Sequence, residues 1–247
     1  MCGLKNLKHL KHLKAGKVRC GLFFGFPLAL AVYGGLGCAE NESSIFIRQV
    51  QAPSSDCLLV ADPGTKARAV GVLDVALARE YRAGLLIGNQ LVARGSSEDL
   101  RTETSAFRAE GLDVRVERID GSALSEFSTA VTGLIWPGSS SSPGWGMVSG
   151  VIMDRSSGDT MASTLATAGG TKRVVSVLKV YGKTLGGHKL ESGAYRFPID
   201  LCYGCLVYNS TRDDTDAGSS ESLPCAVGQD DAISRGECGK LGFEFCR

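Results

Sequence analysis

The chain has 247 residues, with 27 Lys and Arg against 26 Asp and Glu, a formal net charge of +1. So even a balance excludes the densely basic class of nucleic-acid-binding domain. With 43% hydrophobic and 21% charged residues, the composition is that of a folding chain, and the length admits one large all-β domain or two small ones.

The first segment stands apart. Lys5, Lys8, Lys11, Lys14, Lys17 and Arg19 precede any acidic residue, and an apolar run over 21–37 closes on Leu36-Gly37-Cys38-Ala39. A basic start, a short apolar core and small residues at a cut are the parts of a signal peptide, and the cations hold the start on the cytoplasmic side. The run falls short of the roughly 20 residues of a spanning helix and contains Pro27; an uncleaved anchor is the alternative. The order is similar to bacterial lipoprotein signals, in which the cysteine thiol takes a diacylglyceryl group and becomes the mature N-terminus. That resemblance implies removal of 1–37, lipidation of Cys38, and a body held in the bacterial cell envelope, on the periplasmic or surface face of the outer membrane. Gly35 departs from the aliphatic residue preferred three positions before the cysteine, and Ala29-Leu30-Ala31 offers a competing cut for ordinary secretion.

Removing 1–37 leaves 21 basic against 26 acidic residues, a net charge of −5. Cys2 and Cys20 leave with it and Cys38 is consumed by lipid, so Cys57, Cys202, Cys205, Cys225, Cys238 and Cys246 remain. An even number in an exported chain reads as disulfides, with the pairing left open.

Residues 38–56 read as a tether carrying a short strand at 45–50, 57–208 as a β domain, and 209–247 as a polar loop and cysteine-rich tail. Over 81–91 the odd positions are mostly apolar, and over 112–117 the alternation sends Asp113, Arg115 and Glu117 outward. Residues 145–153 and 173–181, apolar on both faces, read as inner strands. Gly186-Gly187 suits a hairpin turn, with Ser192-Gly193 as a competing break. Tyr195, Phe197, Ile199 and Leu201 share one face, and Pro198 marks an edge or a strand end. Strict alternation marks strands with one buried face. About eight or nine such strands predict an antiparallel β-sandwich of immunoglobulin- or fibronectin-like architecture. Outside the basic start, no helical face is predicted.

Chemistry-bearing groups are sparse. Cys202-Tyr203-Gly204-Cys205 has the spacing of a thiol–disulfide exchange motif, yet it follows a strand with no helix signal, so a structural disulfide is expected. Cys202, Cys205, Cys225 and Cys238 supply the four thiols of a zinc site but at gaps that are not diagnostic. The acidic stretch Asp213-Asp214-Thr215-Asp216-Ala217-Gly218 lacks the ligand spacing of a calcium loop. Once the export segment is removed His188 is the single histidine, in a predicted turn, which excludes multi-histidine metal sites. Neither Glu117 with Asp120 nor Glu110 with Asp113 is spaced as a glycosidase pair demands. Trp136 and Trp145 flank a serine-rich loop and are either an aromatic platform or partly buried core. No cofactor or metal is expected, and no catalytic residue is assigned.

The body resembles a group of uncharacterised exported lipoproteins of the myxobacterial type. The resemblance is carried by Val60-Ala61-Asp62-Pro63, Gly71-Val72-Leu73-Asp74-Val75-Ala76-Leu77, Leu86-Ile87-Gly88-Asn89-Gln90-Leu91-Val92, Arg101-Thr102-Glu103-Thr104, Phe197-Pro198-Ile199-Asp200-Leu201-Cys202-Tyr203-Gly204-Cys205 and Cys225-Ala226-Val227-Gly228-Gln229-Asp230. It implies export and anchoring rather than a reaction. The expected role is non-catalytic binding or structure at the membrane surface, with an envelope protein or glycan as partner. An envelope enzyme, either a CxxC thiol–disulfide protein or a carboxylate-based hydrolase, is the rival reading.

Overall fold

The computed structural model of the chain describes residues 43–96, 98–139, 141–209 and 223–246. Cys38, the export segment and the acidic stretch at 213–218 lie outside them. Twelve strands run along the described residues, and the all-β class expected from the alternation holds. The first four strands are β1 (Ile45–Gln51), β2 (Ala67–Arg68), β3 (Gly71–Asp74) and β4 (Tyr81–Asn89). They are followed by β5 (Phe107–Arg118), β6 (Ala123–Ile135) and β7 (Gly144–Met153). A helix, α1 (Arg155–Ala168), separates these from β8 (Thr171–Thr184), β9 (Lys189–Glu191) and β10 (Tyr195–Cys202). The tail contributes β11 (Val207–Tyr208), β12 (Ile233–Ser234), the short helix α2 (Arg235–Lys240) and a 3-10 turn at Glu244–Cys246.

One sheet has the order β2-β1-β4-β7 and the other β3-β10-β8-β5-β6, with β9 added to β8. All pairings in these two sheets are antiparallel except β3 with β10, which run parallel. Apolar residues of both sheets form one buried cluster, among them Ile45, Leu85 and Ile152 from one and Leu112, Leu178 and Ile199 from the other. Strands β6 and β7 approach closely without pairing. A Cβ at Gly133 of β6 would lie 2.7 Å from Val148 Cγ1 of β7, so this contact needs a residue without a side chain.

Several expectations change in detail. The strand expected at 45–50 forms, but β1 is a buried inner strand between β2 and β4, so the folded body reaches back to Ser43. Strand β7, expected as inner, has a hydrogen-bonded neighbour on one side only, whereas β8 is inner as expected. Pro198 lies within an inner strand after all. Its missing donor is tolerated because β3 joins β10 only from Ile199 onward, leaving one open side at Pro198. Glu117, read as outward, is buried beneath Arg196 (2.7 Å) and Arg115 (3.3 Å). The turn at Gly186-Gly187 forms as expected: Gly187 N–H donates to Thr184 O, and Lys183 pairs Lys189.

Helix α1 contradicts the expectation that the body lacks helices. Its buried residues Ser157, Gly158, Met161, Ala162 and Leu165 recur at helical spacing against β6 and β10. Small and hydroxylated residues make that stripe faint in sequence. The start is set by Asp154, whose carboxylate accepts from the N–H groups of Ser156 (3.1 Å) and Ser157 (3.3 Å) and from the hydroxyls of Ser125 and Ser157 (both 2.6 Å). Burial by itself would raise this carboxyl, but the hydroxyls of Ser125, Ser156 and Ser157 and the Ser157 N–H outweigh it and hold the pKa at about 2. A carboxyl depressed in the folded state stabilises above its unfolded pKa and loses that contribution as pH falls through the folded one. Asp154→Asn is therefore expected to lower stability by about 1 kcal/mol near about pH 6, a difference that vanishes by about pH 2. Urea midpoints of both proteins across that range measure it; a difference independent of pH would contradict the assignment.

Candidate functional site

A cluster of buried charge sits where residues 225–231 bridge β3 of one sheet and β4 of the other. The Cys57–Cys225 disulfide, joining positions 168 residues apart, pins one end of this segment. Its backbone then pairs with β3: Asp74 N–H donates to Gly228 O (2.9 Å), Asp230 N–H to Val72 O (2.9 Å), and Val72 N–H to the Asp230 carboxylate (2.9 Å). On the other side, the Gln229 amide accepts from Arg82 N–H and donates to Arg82 O, both at 2.8 Å, completing β4 as an added strand would. Asp230 has a positive φ of 64°, which turns its carboxylate back into the fold.

That carboxylate meets the Tyr81 hydroxyl at 2.7 Å and Arg68 Nε at 3.2 Å, while Arg68 also lies 3.6 Å from Asp231. The Arg68 contact is an ion pair rather than an aligned hydrogen bond. Burial first, then the charge and hydrogen bond of Asp230, push the Tyr81 phenol far above its ordinary value, so it stays a donor. Every group in the cluster is thereby committed to another, and the chemistry it performs is electrostatic clasping. The adjoining cavity of about 130 Å³ has room for a few waters and falls well short of a small-molecule pocket.

The CxxC motif closes on itself as the Cys202–Cys205 disulfide, and Cys238 bonds Cys246. The four thiols considered for zinc are thus divided among three disulfides. Beside Cys202–Cys205, the fully buried Asp74 accepts from Gly204 N–H (2.7 Å), Leu206 N–H (2.9 Å) and Ala76 N–H (3.0 Å). Asp74, Cys202 and Cys205 place three possible metal-ligating atoms within 4.8 Å of one another. Bonded sulfurs offer no thiolate, however, and the carboxylate already serves three donors. Its negative charge also disfavours a thiolate at this turn, unlike the electropositive settings of reactive cysteines. Gly204 has a positive φ of 78° and lies against the Phe245 ring, where a Cβ would collide, so the motif is packed onto the tail.

A larger concavity, about 500 Å³, opens on the solvent face of β5, β6 and β8. Arg115, Glu126 and Lys179 line it around Phe127 and Val177. Arg115 bridges Glu117 (3.3 Å) and Glu126 (3.1 Å), and Lys179 pairs Glu191 (2.6 Å), so both signs of charge face outward over a partly apolar floor.

The other sequence candidates are dispersed. Glu110 pairs Arg108 (3.1 Å) and Lys183 (3.3 Å), Asp113 accepts from Ser128 (2.5 Å), and Asp120 accepts from Ser122. His188 is exposed in the β8–β9 turn. Trp145 packs edge-on against Phe46 at 5.8 Å, while Trp136 faces solvent, so the two do not form one platform. Sequence reading assigned no role to Asp230, Gln229, Asp74 and Asn89, although each lies in a segment that carries the resemblance. Of these only Asp74 carries a local signal, as a lone acid inside the apolar run 70–78. No protein-family model matches the chain, and no curated protein matches it.

Proposed function

We propose that this is an exported lipoprotein of the bacterial cell envelope, of the myxobacterial type, tethered through Cys38 and serving a non-catalytic binding or structural role. The observation that carries this reading is the pairing of all six cysteines of the body into Cys57–Cys225, Cys202–Cys205 and Cys238–Cys246. Such density belongs to oxidising compartments outside the cytoplasm, and two acyl chains at Cys38 would anchor the body stably. The commitment of Cys202, Cys205, Glu110, Asp113, Glu117 and Asp120 to structural partners favours binding over reaction. The mixed-charge concavity around Phe127 is the surface we assign to an envelope protein or glycan. We also propose that the two large sheets stack as a β-sandwich, since both feed the same buried cluster. No helix among the described residues is long and apolar enough to cross a membrane.

Intact-mass measurement of the mature protein with and without reductant tests the proposal. A diacylglyceryl-bearing N-terminus at Cys38 and six hydrogens gained from three disulfides are expected. A mature N-terminus at Val32, or six free thiols, would overturn it.

A further inference from the structure

The chain leaves toward Cys38 from one end of the β body. Ser44 O accepts from Gln90 N–H (2.8 Å), and the Ser43 hydroxyl donates to Glu191 O, so the first described residues sit beside the end of β4 and the β9 strand. In register, Ile45 faces Asn89 and Asn89 faces Gly144. The loops 90–106 and 136–143 and the turn at Gly186-Gly187 therefore share this end with Ser43.

Fully buried Asn89 organises it. Its amide donates to Ser105 O (3.0 Å) and Ile135 O (3.1 Å) and accepts from Leu91 N–H (2.9 Å). Glu103 braces the same loop, its carboxylate accepting from the N–H groups of Arg94 (2.9 Å), Gly95 (2.8 Å) and Ser105 (2.5 Å). Val92 bridges Gly138, and Gly186 N–H donates to Thr104 O, so the three connections form one platform. From this braced platform Val92 (78% exposed), Leu100 (93%) and Trp136 (55%) stand in solvent. Exposed aliphatic residues and a tryptophan on connections at one end of a body suit a membrane-interface contact.

We infer that this end rests on the lipid bilayer, with Val92, Leu100 and Trp136 entering the interfacial layer. The inference rests on the anchoring at Cys38 proposed above. Cys38 precedes Ser43 by five residues, and five residues of chain span at most about 18 Å. Strand β6, with 13 residues, is alone roughly 40 Å long, so an anchor at Cys38 would hold this end nearer the bilayer than the opposite end. Exposed Arg94 and Arg101 are matched by exposed Glu98 and Asp99. Apolar contact rather than charge therefore carries the interaction, which holds on zwitterionic lipid.

The test uses the full chain, expressed with its own N-terminal segment, purified from membranes and reconstituted into phosphatidylcholine vesicles. Trp145→Phe leaves Trp136 as the single tryptophan. A second protein, Trp136→Phe/Trp145→Phe/Ile119→Trp, moves the reporter to the exposed β5–β6 turn at the opposite end. Quenching by phosphatidylcholine carrying a doxyl group at acyl carbon 5 is expected to be about threefold stronger for Trp136 than for the reporter at position 119. Aqueous iodide should quench Trp136 weakly in the same Trp145→Phe protein, a comparison that does not depend on the second variant. If intact mass shows lipid on Cys38 but Trp136 is quenched by iodide and not by doxyl lipid, or both reporters respond equally, the orientation is overturned and the anchoring stands. A chain without lipid on Cys38 overturns both.

Discussion

Replacing Cys57 and Cys225 together with serine is expected to destabilise the body by about 3–5 kcal/mol, the largest effect of any disulfide in the chain. The bridge closes a loop of 168 residues, against separations of 3 for Cys202–Cys205 and 8 for Cys238–Cys246. Loop-closure entropy grows with the logarithm of that length, so the long bridge removes most freedom from the unfolded chain. Its position adds to the effect. The bridge holds residues 225–231 where they complete β3 and β4, and where Asp230 neutralises Arg68. Loss of the bridge exposes that ion pair to fraying, and an uncompensated half-buried guanidinium is costly. Urea unfolding of the oxidised full chain measures it. A midpoint shift no larger than that of Cys238→Ser/Cys246→Ser would show that neither loop length nor the closing segment governs stability.

Asp74→Ala should cost at least as much, about 3–6 kcal/mol, although it removes only one small side chain. The carboxylate is fully buried and satisfies three backbone donors, at Ala76, Gly204 and Leu206. Alanine leaves all three without this acceptor, the Leu206 N–H in a fully buried setting and the other two in part-buried ones, and each costs about 1–3 kcal/mol. Asp74→Asn keeps one acceptor oxygen but turns an amide donor toward another N–H, so an intermediate loss is expected. The same measurement separates the roles of Asp74. If Asp74→Ala destabilises by under about 1 kcal/mol, the turn holding Cys202–Cys205 draws its order from the disulfide and from Phe245 instead.

Legibility in the sequence followed the environment of each segment. β5 was readable because one face is buried and the other wet, which writes a period of two into Val114, Arg115 and Val116. β10 was readable for the same reason, through Phe197, Ile199 and Leu201. β4 is buried on both faces over most of its length, so the alternation that marked it, with odd positions of 81–91 mostly apolar, is only partial. Helix α1 was not readable because its buried stripe contains Ser157, Gly158 and Ala162, residues whose hydrophobic contrast with the outer face is slight. Glu117 was misplaced because alternation reports which way a side chain points and not what covers it; Arg196 arrives from a strand 79 positions away.

The sequence by itself determined the class of the fold, the sparse chemistry of the body and the expectation that its six cysteines pair. It did so because hydrophobic period and residue type are local properties, written into consecutive positions. Only the tertiary structure decided which cysteines pair, that residues 225–231 bridge β3 and β4, and that the loop after β4, the loop after β6 and the β8–β9 turn lie at one end of the strands. Those are matters of proximity between residues far apart in the chain, set by strand order and register, and no local pattern records them.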